Sequence, residues 1–219
     1  MNDNKRTYKL LVLLGIIAFV IILLGTSELN RKEAEGHAAL NAALLDSINV
    51  PEIKSQVKEY EICVVAEVTQ GVNDMGDYTV SGEKLFGDTE EDIKMRESFK
   101  ANGFLPETVS YNQYHVKVDQ YIYDKTGEYK EEIDVIYGLA YQEIGIQAEA
   151  GMKLILFLTP SDSLDGKYIA SICWAYHVND NGTIVPTIDN EKHKEYKGKK
   201  IEKYIEKISK IYEKYGEDK

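Results

Sequence analysis

The feature that most constrains this chain is an unbroken apolar run of 15 residues at 10–24, with the sequence LLVLLGIIAFVIILL. With its tolerable flanks, the run gives a helix of about 22 to 28 Å, against a bilayer hydrocarbon core of about 30 Å. It therefore predicts a short transmembrane signal anchor over residues 10–26. The predicted anchor residues are Leu10, Leu14, Ile17, Ile21 and Leu24.

The charges that flank the run predict its orientation. Three cations lie within residues 1–9 and only two follow the run closely. Residues 1–9 should therefore stay in the cytoplasm, and the rest of the chain should be extracellular, attached to the plasma membrane by a single pass. The alternative is a cleaved signal peptide, because Gly25, Thr26 and Ser27 are small residues at the usual spacing. In that case the protein would be secreted after cleavage near Ser27.

Charge is distributed unevenly along the chain. Of the formal net charge of −11, residues 1–9 carry +2 and residues 190–219, with seven acids and ten lysines, carry +3, which leaves −16 on residues 10–189. This acidic body would repel phosphate backbones, so nucleic-acid binding is disfavoured. It would attract cations and basic proteins, or it would simply keep an exported domain soluble.

Residues 27–59 are predicted to form a helical stalk. The part at 27–48 is rich in alanine and leucine, with only Gly36 to weaken a helix. Pro51 then suits the first position of a second short helix that runs through Glu59. A stalk has a role only if the membrane tether is retained, which favours an anchor over cleavage.

Residues 60–188 predict a small antiparallel β-barrel of five or six strands. Apolar residues alternate with others along 62–69, as in a half-buried strand. In a later strand the alternation shifts by one residue at Gln120, which predicts a bulge. The segment 152–158, MKLILFL, is apolar on both faces, as expected in the middle of a sheet. Asn-Gly at 181–182 predicts a hairpin. Closure into a barrel would leave no exposed edges.

A helical insertion is predicted at 88–102. Asp88 or Thr89 can cap this helix, three acids follow in its first turn, and Gly103 stops it. Four acids close together could form a metal cluster. Acids in the first turn of a helix more often complement the helix dipole, so no metal site is predicted.

Several segments follow one another in a recognisable order. They are the helix Pro51-Glu-Ile-Lys, the strands Cys63-Val-Val-Ala-Glu-Val, Tyr114-His-Val-Lys-Val-Asp and Ala150-Gly-Met-Lys-Leu-Ile-Leu-Phe-Leu, and an Asn-Gly hairpin. In this order the chain resembles a loose group of exported Gram-positive proteins of unknown function, whose core looks like a small oligonucleotide/oligosaccharide-binding (OB) barrel. The resemblance covers residues 60–188 and implies an OB-like barrel there. The chain departs from the group near 83–112, and the group supplies no functional residues to carry over.

Residues 189–219 predict a basic amphipathic helix. Apolar side chains recur at three- and four-residue steps, and lysines and glutamates fill the opposite face. The candidate interaction residues on the apolar face are Ile201, Tyr204, Ile205, Ile208 and Tyr212. An apolar stripe of this width needs a partner. Packing against one side of the barrel is the favoured interpretation, and pairing with another envelope protein or lying on an anionic membrane are the alternatives.

Motifs of the common enzyme classes are absent from the sequence. It contains no Gly-x-Ser-x-Gly, His-Glu-x-x-His, phosphate-loop or Cys-x-x-Cys motif, so no catalytic residue, nucleotide or cofactor is predicted. His115 and His177, with Asp119, are the one candidate constellation for catalysis. The 16 tyrosines could form a carbohydrate platform, although tyrosine is also common in strands.

Cys63 and Cys173 are candidates for a disulfide bond. Each lies on a predicted strand and is expected to point to the less apolar side. If the first and fifth strands are neighbours, the two thiols could be bonded in an exported protein.

Two classes of function remain. The first, favoured because enzyme motifs are absent, is a membrane-anchored extracellular module without enzymatic activity, whose acidic barrel or basic helix binds another envelope component. The second is an envelope enzyme of unrecognised type, which would need a pocket that gathers groups such as His115, Asp119 and His177. Overall, the predicted fold is mainly β with helical appendages: an N-terminal transmembrane helix with its stalk, a small OB-like barrel and a C-terminal amphipathic helix.

Overall fold

The computed structural model describes residues 50–138, 147–171, 173–188 and 190–216. The predicted signal anchor, with Leu10, Leu14, Ile17, Ile21 and Leu24, and the stalk segment 27–48 lie outside these residues. Within the described ranges, no helix is long and apolar enough to cross a membrane.

The described chain is mainly β, which confirms the predicted fold class at that level. Its strands form one eight-stranded sheet with one parallel pairing, so the prediction of five or six antiparallel strands is wrong in number and in direction. The strands are β1 (Ile62–Gln70), β2 (Asp77–Ser81), β3 (Thr108–Asp124), β4 (Glu132–Gly138), β5 (Lys153–Ser161), β6 (Lys167–Ala170), β7 (Tyr176–Val178) and β8 (Ile184–Pro186). The α-helices are α1 (Ile53–Glu59), α2 (Val72–Met75), α3 (Glu90–Ala101) and α4 (Ile201–Tyr215). Short 3-10 turns span Gly82–Leu85, Asp162–Leu164 and Glu191–His193.

Five of the strands pair in a closed circuit. β1 pairs antiparallel with both β3 and β5, β3 pairs with β4, and β5 pairs with β6. A parallel pairing of β4 with β6 closes the circuit. Outside it, β2 pairs with the start of β3, and the hairpin of β7 and β8 extends from β5.

The side chains of the circuit alternate between its interior and its outer surface. Alternate residues of β1 and β5, such as Val64 and Leu156, are buried in the interior core. Their neighbours Cys63 and Phe157 point outward and are also fully buried, because successive side chains of a strand point to opposite faces. This double burial explains why β5 is apolar on both faces. As predicted, β5 lies inside the sheet, where it pairs with β1, β6 and β7.

Helix α4 packs on the outer surface of the circuit, against β3 and α1. Tyr204 and Ile208 are buried, and the ring of Tyr212 stacks on that of Tyr123 in β3, with centroids 4.6 Å apart. Ile201 and Ile205 are half-buried. The five candidate interaction residues are therefore largely engaged in packing within the chain.

The turn between β3 and β4 is held by the buried carboxylate of Asp124. This carboxylate accepts hydrogen bonds from the backbone N–H groups of Thr126, Gly127 and Tyr129, at 2.8, 3.1 and 3.0 Å, and from the Thr126 hydroxyl at 2.6 Å. It thereby satisfies three backbone donors that the turn leaves without a strand partner.

Replacing Asp124 with alanine should lower the free energy of unfolding by about 2 to 3 kcal/mol, because three backbone donors lose a charged acceptor. Urea denaturation of the full chain measures this change. Glu128→Ala, in an exposed position of the same turn, is the matched control and should change the free energy by less than about 0.5 kcal/mol. Equal effects of the two substitutions would contradict the role assigned to Asp124.

Candidate binding cleft

A cleft with a volume of about 660 Å³ lies between the segment 83–96 and the turn 162–165. The first wall belongs to the connection between β2 and β3, which contains α3, and the second belongs to the connection between β5 and β6. Its charged and aromatic lining residues are Glu83, Lys84, Phe86, Asp88, Asp92, Arg96, Asp162 and Asp165.

The first wall is shaped by the start of α3, which lies inside the predicted insertion. The Thr89 hydroxyl accepts a hydrogen bond from the backbone N–H of Asp92 at 3.1 Å and donates one to the Asp92 carboxylate at 2.5 Å. Glu90 and Glu91 occupy the same first turn, where negative charge complements the helix dipole. Local helix chemistry therefore explains why several acids gather at this wall.

The second wall is tied to the first by Asp165. Its carboxylate accepts hydrogen bonds from the Tyr78 hydroxyl at 2.6 Å and the Lys84 ammonium at 2.9 Å. These two bonds lower the pKa of Asp165 below its ordinary value, whereas burial and the adjacent carboxylate raise the pKa of Tyr78 to about 12. Asp165 therefore stays ionised near neutral pH and connects β2, the turn Gly82–Leu85 and the second wall.

The cleft has an excess of negative charge. Five lining carboxylates face two lining cations, which leaves a formal charge of −3. Lys100 pairs with Glu83 at 3.0 Å and lowers the pKa of that carboxyl. Asp88 and Asp162 form no ion pair or hydrogen bond with the other described residues. A ligand with positive charge would therefore find two uncompensated carboxylates in this cleft.

The candidate constellation of His115, Asp119 and His177 is only partly assembled. The Nδ1–H of His115 donates a hydrogen bond to the Asp134 carboxylate at 2.6 Å, and the Lys167 ammonium donates another to the same carboxylate at 3.2 Å. Burial opposes ionisation of Asp134, but these two partners outweigh it and lower its pKa. Asp119 and His177 instead line a second cleft of about 550 Å³, beside the start of α4. Within the described ranges, no group of three or more acidic, histidine or cysteine side chains is arranged to hold a metal ion.

The two cysteines occupy different environments. Both are free thiols in the structure. Cys63 is fully buried on the outer face of β1, and burial raises its pKa well above the ordinary value. Cys173 is half-buried, and burial together with the nearby Glu59 carboxylate raises its pKa.

Comparisons of the chain with protein-family models, with curated proteins and with solved structures give no match. Sequence reasoning did not single out Asp162, Asp165 or Tyr78. The one available signal was the acidic turn SDSLDG at 161–166, a composition typical of any surface turn.

Proposed function

We propose that the chain is a membrane-tethered binding module of the cell envelope, without enzymatic activity, whose acidic cleft holds a cationic ligand. The predicted anchor at 10–26 would supply the tether and place the domain outside the cytoplasm. The domain itself would be an OB-like barrel.

The strand order supports the OB-like assignment. Numbered along the chain, the members of the circuit are β1, β3, β4, β5 and β6. These five are the first to fifth strands of the barrel. Around the circuit the order is β1, β3, β4, β6, β5, that is, first, second, third, fifth, fourth, and the third and fifth strands are parallel. OB barrels are five-stranded Greek-key barrels. They bind ligands over their second and third strands, between the loop that joins strands one and two and the loop that joins strands four and five.

One observation carries the proposal: the acidic cleft lies between these same two loops. The wall at 83–96 belongs to the connection from the first to the second barrel strand, and the wall at 162–165 joins the fourth to the fifth. The formal charge of −3 on the lining would repel an oligonucleotide and attract a cation. The position of the cleft therefore favours a binding module, and its charge favours a cationic ligand.

Oligolysine should bind the full chain in zwitterionic nanodiscs, and the double variant Asp88→Asn/Asp162→Asn should weaken this binding about tenfold, because it removes both uncompensated carboxylates. Isothermal titration calorimetry at low salt measures the affinity, which should also fall as salt is added. Both aspartates lack hydrogen-bond partners among the described residues, so the substitutions should leave the fold intact.

The matched control is Glu131→Gln/Glu213→Gln, which removes the same total charge from exposed positions away from the cleft. This control should bind oligolysine nearly as well as the unmodified chain. If both double variants weaken binding equally, the cleft is not the site and the proposal fails. No measurable binding of oligolysine would also overturn it.

A further inference from the structure

Large apolar side chains are exposed on the insertion that forms one wall of the cleft. Met95 and Phe99 lie on α3, Phe104 follows its end, and Leu85 precedes it; Phe104 is 72% exposed and Met95 51%. No residue of α3 is buried. Isolated exposed apolar residues are ordinary, but a cluster of them with a polar surround marks an interaction surface.

The exposed apolar face is continuous with the acidic cleft. Successive residues of an α-helix are separated by about 100° around its axis. By this spacing, Phe99 projects between the directions of Met95 and Asp92, and Arg96 follows on the far side of Asp92. Asp92 and Arg96 both line the cleft. The ring of Phe86, in the cleft wall, packs edge-on against that of Phe99 with centroids 5.5 Å apart. The helix therefore has a charged side that lines the cleft and an apolar side next to it, and the two form one continuous stripe.

Charge decides which occupant fits this stripe. Residues 83–107 contain seven carboxylates and four cations, a formal charge of −3. Three of the cations are already held, since Lys94 pairs with Glu90 at 2.7 Å, Lys100 with Glu83 at 3.0 Å and Lys84 with Asp165 at 2.9 Å. A second copy of the chain would bring two negative surfaces together, and an anionic membrane would be repelled in the same way. A partner that is apolar on one side and basic on the other has no such penalty.

We infer that the insertion docks a basic amphipathic segment of another protein. The apolar side of that segment rests on Met95, Phe99 and Phe104, and its lysines or arginines lie over the carboxylates of the cleft. This inference rests on the proposed function, because it names the partner of the same cleft. The two contributions are separable: charge supplies attraction and selectivity, whereas the apolar side chains add burial that a purely cationic ligand cannot use.

The test compares two probes on the full chain in zwitterionic nanodiscs: a helical peptide with leucine on one face and lysine on the other, and an oligolysine of equal charge. Fluorescence anisotropy, with binding to empty nanodiscs subtracted, should show the amphipathic peptide binding about tenfold more tightly. The variant Phe99→Ser/Phe104→Ser should lose this gain while its affinity for oligolysine stays unchanged. Tyr129→Ser, which removes an exposed aromatic ring from a different turn, should keep the gain.

Each alternative outcome is distinct. If oligolysine binds in the cleft but the amphipathic peptide gains nothing, or keeps its gain in Phe99→Ser/Phe104→Ser, the inference is overturned and the proposed function stands. If oligolysine itself does not bind, the proposed function fails. Sedimentation velocity that reveals a dimer lost in Phe99→Ser/Phe104→Ser would assign the face to a second copy. Binding of anionic vesicles through the same residues would assign it to lipid, and either result overturns the inference.

Discussion

Replacing Ile208 with aspartate should lower the free energy of unfolding by about 4 kcal/mol or more. Ile208 is fully buried on α4, so the substitution removes a packed aliphatic side chain and leaves a carboxylate in an apolar environment. Trp174, the single tryptophan of the chain, is 1% exposed and packs against Tyr196 near α4. Urea denaturation followed by tryptophan fluorescence therefore measures the loss directly.

Ile205→Asp on the same helix is the matched control. Ile205 is half-buried and lines the second cleft, where a carboxylate can remain hydrated, so this substitution should cost less than about 1.5 kcal/mol. If Ile208→Asp leaves the stability intact and Ile205→Asp does not, the helix is packed in a different orientation. If both variants stay stable and lose a partner, the apolar face of α4 is an intermolecular interface.

The apolar stripe of this helix also illustrates what a sequence can and cannot specify. Its periodicity correctly indicates a helix that must bury one face, because a helix of this kind is not stable alone in water. The periodicity does not specify what the apolar face packs against, since Tyr123, whose ring stacks on that of Tyr212, lies far away along the chain.

In β3, the break in the apolar alternation at Gln120 correctly predicts a bulge. In the register, Val118 and Gln120 have partners in β1 and Asp119 does not.

Other parts of the sheet could not be predicted from local patterns. The parallel pairing of β4 with β6 joins Val135 to Tyr168, and the alternation of each strand says nothing about which strands meet. The central position of β5 could be predicted, because a strand that is apolar on both faces must be buried on both faces. Local chemistry therefore predicts the elements, whereas closure of the circuit depends on which combination buries all the apolar faces together.

The candidate cleft follows from the same closure. The acids of the insertion have a sufficient local explanation in the Thr89 cap and the helix dipole, so the sequence gives no reason to connect them with the turn at 162–165. The Tyr78 hydroxyl and the Asp165 carboxylate, 87 positions apart along the chain, meet only once β2 and the connection between β5 and β6 are in place. A site built from two distant loops therefore becomes visible only in the folded chain.

The two thiols should differ in reactivity by at least about a thousandfold in the native protein. Cys63 is fully buried beneath the outer packing layer, so a reagent reaches it only when the domain opens, and opening of a domain stable by about 5 kcal/mol or more is rarer than one in a thousand. Cys173 is half-buried and should react without unfolding, although its raised pKa slows it at neutral pH.

Thiol titration of unreduced protein at pH 8 measures both rates, and the variant Cys173→Ser identifies the fast group. We expect one thiol to react in native buffer and a second to appear on addition of guanidinium, with only the slow one left in Cys173→Ser. Fast reaction of both thiols would contradict the full burial of Cys63. No thiol in either condition would mean that Cys63 and Cys173 are bonded and that the outer face of β1 is rearranged to bring them together.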